Sequence, residues 1–198
     1  MPYQDLIKGA VLGLLVFGTV ARAFAGPATD QLKPEIERVM AAIENPALQA
    51  ESKTANRRQA VRAVTDGIFD WTEMSKRALG RHWEARTAAE RAEFIPLFRE
   101  LLERVFFGKI EQHGAESVAY TEESPDGDDT IVHTRVTLKP NGTVGLDFRM
   151  AWQGTRWMIT DVLIEGTSLV RNFRAQFDSV IKRSSYEDLV AKVKTRLP

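Results

Sequence analysis

Val144-Gly145-Leu146-Asp147-Phe148-Arg149-Met150-Ala151-Trp152, followed after a Gln153-Gly154 turn by Trp157-Met158-Ile159-Thr160-Asp161-Val162-Leu163-Ile164, decides the architecture. In the first run Val144, Leu146, Phe148, Met150 and Trp152 alternate with Gly145, Asp147, Arg149 and Ala151. A period of two puts the first set on one face of a β-strand and the second on the other. The pattern extends upstream. Val132, Thr134, Val136 and Leu138 share a face, His133 and Arg135 share the opposite one, and Pro140-Asn141-Gly142 supplies the turn between the two runs. From about Ser117, Val118 and Tyr120 alternate with polar neighbours before the Ser124-Pro125-Asp126-Gly127-Asp128-Asp129 turn. The result is an antiparallel meander of about four strands, one face apolar and the other partly polar.

Helical spacing flanks the meander on both sides. Thr29 or Asp30 is placed to cap a helix running to about Ile43, and a second helix spans about Thr54 to Ile68. Asp70 caps a short helix ending at Gly80, and Thr87-Ala88-Ala89-Glu90 is a capping box before the longest one. That helix carries Phe94, Leu97, Phe98, Leu101, Leu102, Val105 and Phe106 at three- and four-residue spacings, with Pro96 inside it. After the sheet, Leu169, Val170, Phe173, Phe177 and Ile181 return to helical spacing, and Ser184 with Glu187 caps a terminal helix. Helices, then strands, then helices give an α+β class.

Composition narrows the function. The 198 residues carry 27 basic and 27 acidic side chains, so no cationic surplus marks a nucleic-acid partner. Residues 1–25 read as a secretory leader: Lys8, an uncharged apolar run from Gly9 to Ala21, and Ala23-Phe24-Ala25 before Gly26. The run is shorter than the roughly 20 apolar residues that span a bilayer. Cleavage after Ala25 removes Lys8, Arg22 and Asp5, leaving 25 basic and 26 acidic residues in a single domain of residues 26–198. An uncleaved anchor is the alternative. With no cysteine, the domain holds itself together by burial alone.

No chemistry announces itself. His82, His113 and His133 are far apart, without metal-ligand partners at short spacing, and neither a phosphate-cradling Gly-rich loop nor a G-x-S-x-G elbow occurs. Neither a metal nor a cofactor is expected. The best catalytic candidate is Asp161, a carboxylate in an apolar strand near His133 or Asp147; the plainer role is an ion pair with Arg135 or Arg149, or capping of backbone N–H groups. The apolar helical band set against the sheet face reads as core, and composition does not show whether that interface is full or hollow.

Phe69-Asp70, Met74, Leu79-Gly80, Trp83, Glu90-Arg91, Phe94, Phe98 and Leu101-Leu102 form one block. Trp157-Met158-Ile159-Thr160-Asp161-Val162, Glu165-Gly166-Thr167-Ser168-Leu169-Val170, Asn172-Phe173-Arg174 and Phe177 form a second, with Gly145-Leu146-Asp147-Phe148 between them. In order and spacing this series, from about residue 60 to about residue 182, resembles the MlaC (toluene-tolerance) family. The resemblance implies a curved antiparallel sheet backed by helices, NTF2-like in general shape, with an apolar cavity between. It implies a monomeric periplasmic carrier that moves glycerophospholipid between an outer-membrane lipoprotein complex and an inner-membrane ABC transporter, maintaining outer-membrane lipid asymmetry. Such a carrier is not an enzyme and needs no cofactor.

On that reading the lipid-binding residues are Trp83, Phe94, Phe98, Leu102 and Phe106 from the helical wall, with Leu146, Phe148, Met150, Ile159, Val170 and Phe173 from the sheet and following helix. Gly166 and Ser168 shape the mouth, where lipid phosphate meets backbone N–H groups at the start of the next helix; Gly166 is equally an ordinary turn residue. Where many members carry Tyr near 106 and 173, this chain has Phe at both, which leaves a sterol-like or hopanoid cargo open. Two rival expectations stand beside the carrier: an NTF2-like cone enzyme using Asp161 on a hydrophobic molecule, and a solid-core adaptor for a protein partner.

Overall fold

The computed structural model describes residues 26–48, 50–113, 115–138 and 142–196; the side chains of 51, 105–113, 115 and 196 are also left undescribed. The leader reading of residues 1–25 lies outside the described residues, as do Pro140 and Asn141 of one expected turn. Four helices come first: α1 (Pro27–Glu44), α2 (Thr54–Thr65), α3 (Trp71–Leu79) and α4 (Ala88–His113). The strands β1 (Ala115–Asp126), β2 (Asp129–Leu138), β3 (Thr143–Trp152), β4 (Trp157–Ile164) and β5 (Thr167–Ser168) follow. Helices α5 (Leu169–Arg183) and α6 (Tyr186–Arg196) close the described chain. The strands form one open sheet in sequence order, every neighbour antiparallel, so the α+β expectation is met with one short strand more.

Local chemistry sets most boundaries. The Asp70 carboxylate accepts the Glu73 N–H at 2.8 Å and starts α3. Ahead of α4, Thr87 and Glu90 cap each other reciprocally: the Thr87 N–H donates to Glu90 at 2.7 Å, and the Glu90 N–H donates to the Thr87 hydroxyl at 3.2 Å. Three boundaries differ from expectation. Helix α1 begins at Pro27, with Gly26 as its cap; Thr29 does not cap it but donates its own N–H and hydroxyl to Glu123 on β1, at 2.8 and 2.7 Å. Helix α2 stops at Thr65, because Ile68 and Asp70 are drawn to the edge of β4: the Ile159 N–H donates to the Ile68 carbonyl at 2.8 Å, and the Asp70 N–H to the Ile159 carbonyl at 2.9 Å. Ahead of α6 it is the Ser185 hydroxyl, not that of Ser184, that accepts from the Asp188 N–H, at 3.1 Å.

Bulges curve the sheet. Thr121 is an extra residue in β1 against β2, and Thr160 an extra residue in β4 against β3. The second bulge ends the simple alternation, so Ile159 through Leu163 are buried in an unbroken run.

The buried apolar residues fall into two groups. One joins α3, α4, α5 and α6 through Met74, Leu79, Phe94, Phe98, Phe177 and Leu189. The other sets Ala28 and Leu32 of α1 against Val132, Phe148, Met150, Ile159 and Val162 of the sheet. The expected interface, with the α4 band lying on the sheet face, is therefore not how the chain packs: α4 turns its aromatic side toward the other helices, and α1 covers the sheet. Both arrangements satisfy the same amphipathic pattern, which records that a face is buried and not what buries it.

Candidate functional site

The residues singled out in the sequence divide between these two layers. Trp83, Phe94, Phe98, Leu102, Val170 and Phe173 are buried together in the helical layer. Phe98 meets Phe173 edge-on at 5.5 Å and stacks with Phe94 at 5.8 Å, and Phe177 lies 5.5 to 5.8 Å from all three rings. Arg91 lies 5.0 Å over the Trp83 ring and bonds the Trp83 carbonyl at 3.2 Å, which locks that indole at the edge of the cluster. Leu146, Phe148, Met150 and Ile159 belong to the sheet layer. Phe106 lies on α4, with its side chain outside the described residues.

Two residues that sequence reasoning did not place in the site belong to both layers. Phe69 and Leu169, each half-buried, touch the helical cluster and the sheet cluster alike. Phe69 stacks on Trp71 at 4.8 Å and bridges to Ile159 through its backbone; Leu169 opens α5. The only local signal for them is adjacency: Phe69 precedes the cap Asp70, and Leu169 follows the cap Ser168. The seam between the layers runs past these two side chains.

Asp161 and Ser168 build the corner beneath the seam. Asp161 is 4 % exposed. Its Oδ1 accepts the Val162 N–H at 2.8 Å and the Val170 N–H at 3.1 Å, its Oδ2 accepts the Ser168 hydroxyl, and Ser168 Oγ in turn accepts the Arg171 N–H at 3.0 Å. The plainer of the two sequence readings holds, with backbone capping in place of an arginine partner; Arg149 pairs instead with Asp126 at 2.7 Å. The N–H groups of Val170 and Arg171, offered by the sequence to a lipid phosphate, are thus already engaged by Asp161 and Ser168. A carboxylate with its oxygens spent on three donors is poorly placed as a general base.

Gly166 sits elsewhere. With Glu165 (φ 48°) it makes the tight turn into β5, where the left-handed backbone suits glycine, and it lines a polar cleft of about 280 Å³ on the outer face of the sheet with Glu122, His133, Arg135 and Asp147. Across that face His133 Nδ1 meets Asp147 Oδ2 at 3.2 Å, and His133 Nε2 meets Ser124 Oγ at 2.8 Å. The order Ser, His, carboxylate has the distances of a nucleophile relay. Beside them the cleft carries two further carboxylates, Glu122 and Glu165, and the guanidinium of Arg135. Among the described residues no cluster of three or more His, Asp or Glu side chains could hold a metal ion, and no helix is long and apolar enough to cross a membrane.

The family model described as MlaC protein matches residues 33–195. This chain belongs to the MlaC family. Among curated MlaC proteins, the intermembrane phospholipid transport system binding protein MlaC of Haemophilus influenzae is 19% identical over 122 residues, which cover 59% of this chain. The match spans only 57% of that relative's length. Among solved structures, a phospholipid-binding protein from Ralstonia solanacearum, in complex with a phospholipid, superposes with a TM-score of 0.73 at 25% identity, covering 86% of this chain and 97% of the other. At the end of α3, Gly80 has φ 54°, and a Cβ on it would fall 2.5 Å from Arg174 Nε.

Proposed function

We propose that this chain is a phospholipid carrier that works in the periplasm after removal of residues 1–25, collecting lipid from an outer-membrane lipoprotein complex and delivering it to an inner-membrane ABC transporter. The observation that carries the reading is the superposition, over 86% of this chain, on a protein crystallised with a phospholipid. Two apolar layers joined through a narrow seam are the second support. Each buried CH₂ contributes about 0.8 kcal/mol, so exposing two acyl chains to water costs on the order of 20 kcal/mol, and a carrier must replace that burial. Parting the layers at Phe69 and Leu169 would bring Phe98, Val170 and Phe173 from one side, and Leu146, Phe148 and Ile159 from the other, onto the same hydrocarbon. No covalent step is required.

The test is native mass spectrometry of the protein purified without detergent, followed by solvent extraction of whatever travels with it. One two-chain lipid per protein is the expected result; a hopanoid or sterol-like mass would keep the carrier and change its cargo. Repeated preparations with no bound lipid, and no uptake from labelled vesicles, would overturn the proposal and leave an adaptor that recognises a protein.

A further inference from the structure

A single carboxylate ties the first turn of α1 to β1. Glu123 Oε2 accepts the Thr29 N–H at 2.8 Å and the Thr29 hydroxyl at 2.7 Å. The same carboxylate lies against Gly26: a Cβ there would fall 2.7 Å from Oε2 and nearer still to Cδ and Oε1. Gly26 has φ −86° and ψ 177°, a conformation open to any residue, so a larger residue there would meet no torsional strain but would displace the Glu123 carboxylate. Among the described residues Oε1 receives no hydrogen bond, although it faces the Gly26 backbone.

Gly26 is also the residue that follows Ala23-Phe24-Ala25, where the leader pattern places cleavage. Hydrolysis of the Ala25–Gly26 amide adds one water: Ala25 keeps the new carboxylate, and the Gly26 nitrogen becomes a primary amine. With an ordinary α-amino pKa of about 7.7–8.0, that amine takes up a proton at neutral pH. A Cβ built on Gly26 would lie 2.3 Å from Oε1, and the nitrogen shares the same Cα at one bond of about 1.46 Å. We propose that leader removal itself completes the α1–β1 clasp, the new Gly26 ammonium pairing with Glu123 Oε1.

The inference rests on reading residues 1–25 as a cleaved leader and is independent of the cargo. Glu123 lies on β1 and Asp30 in the first turn of α1, whose N–H bonds the Gly26 carbonyl at 3.0 Å, while the β2 neighbour of Glu123 is Val132. The positive end of the α1 dipole opposes an ammonium, and the carboxylate between them offsets it. The consequence reaches the interior. Ala28 and Leu32 of α1 cover the apolar face of the sheet, so the cover is held more loosely in the precursor than in the processed protein.

The experiment compares a chain beginning at Gly26 with a free amine, the same chain N-acetylated, and one carrying two extra residues before Gly26. At about pH 6.5, below the ordinary amine pKa, the free-amine form should have a folding constant roughly fivefold larger than either blocked form, the equivalent of a single modest interaction. Pairing raises the folded-state pKa of the amine, so the advantage is complete below the unfolded value and fades as pH rises through the folded one. In Glu123→Gln, whose amide oxygen still accepts from Thr29, free and blocked forms should be equal at every pH. Equal stabilities of the parent forms at about pH 6.5, or an advantage that survives in Glu123→Gln, would overturn the clasp. N-terminal sequencing of the exported protein separates the two ideas: a start other than Gly26 defeats the leader reading, whereas a start at Gly26 with equal stabilities defeats the clasp alone.

Discussion

The Ser168 hydroxyl donates to the Asp161 carboxylate inside the β4–α5 corner, and that contact fixes where α5 begins. Ser168 caps the Arg171 N–H while Asp161 takes the Val170 N–H, so the first turn of α5 is satisfied by β5, which it leaves, and by β4 beside it.

Asp161→Ala should therefore behave as a stability variant. It strands the buried N–H groups of Val162 and Val170 and the Ser168 hydroxyl, a loss of about 3 kcal/mol. Asp161→Asn keeps one acceptor oxygen and should lose nearer 1 kcal/mol. Urea unfolding midpoints check the order Ala below Asn below parent. Retained lipid should change little in Asn, where a catalytic Asp161 would instead lose turnover.

The seam and the interior of the helical layer should respond differently. Phe98 is fully buried among three other Phe rings, so Phe98→Ala opens a cavity and costs about 3–5 kcal/mol. Leu169→Trp adds bulk at a half-buried position between the layers, where overpacking costs about 1–3 kcal/mol at most. Its expected signature is a drop in co-purified lipid with a smaller fall in melting temperature than Phe98→Ala gives. Full lipid occupancy in Leu169→Trp would remove the seam from the binding route.

Acid should weaken the α3–α5 surface through Asp178. Hydrogen bonds from Lys182, His82 and Arg81 hold its carboxyl well below the usual carboxylate range. A depressed folded-state pKa gives a contribution that is complete above the ordinary Asp value of about 3.9 and is lost as pH falls through the folded one. In Asp178→Asn the stability of the protein should fall less steeply with acid over that range. The difference is read from urea midpoints followed downward from neutral pH, and parallel curves would refute it.

Alkali should act through Tyr186. Burial, and then the charges of Glu90 and Glu93, push its phenol up to about 12, and its hydroxyl donates to the Glu90 carbonyl at 3.1 Å. The unfolded chain releases this proton from about pH 10, ahead of the folded one, so stability declines as pH climbs from there toward the folded value. Tyr186→Phe gives up roughly 1 kcal/mol at neutral pH with the lost hydrogen bond, and it should flatten part of the alkaline decline. Tyr120, also pushed up to about 12 by burial, contributes in the same direction. An unchanged alkaline slope in Tyr186→Phe counts against this account.

Short-range chemistry made much of the molecule legible from its residues alone. Period-two alternation placed β2 and β3, the Gln153-Gly154 turn marked the start of β4, and the Asp70 and Thr87–Glu90 caps placed α3 and α4, because each of those signals is satisfied within a few residues. Most of the residues named for the site are indeed buried, though in two layers and not facing one another across one.

Long-range contacts decided the rest. Glu123 sets the start of α1 from 94 residues away, and Ile159 ends α2 by drawing Ile68 and Asp70 onto a strand. The choice of α1, and not α4, as the cover of the sheet had no local trace. An amphipathic period reports only that one side of a helix leaves water, and the identity of its partner depends on which surfaces fit together once every element has formed.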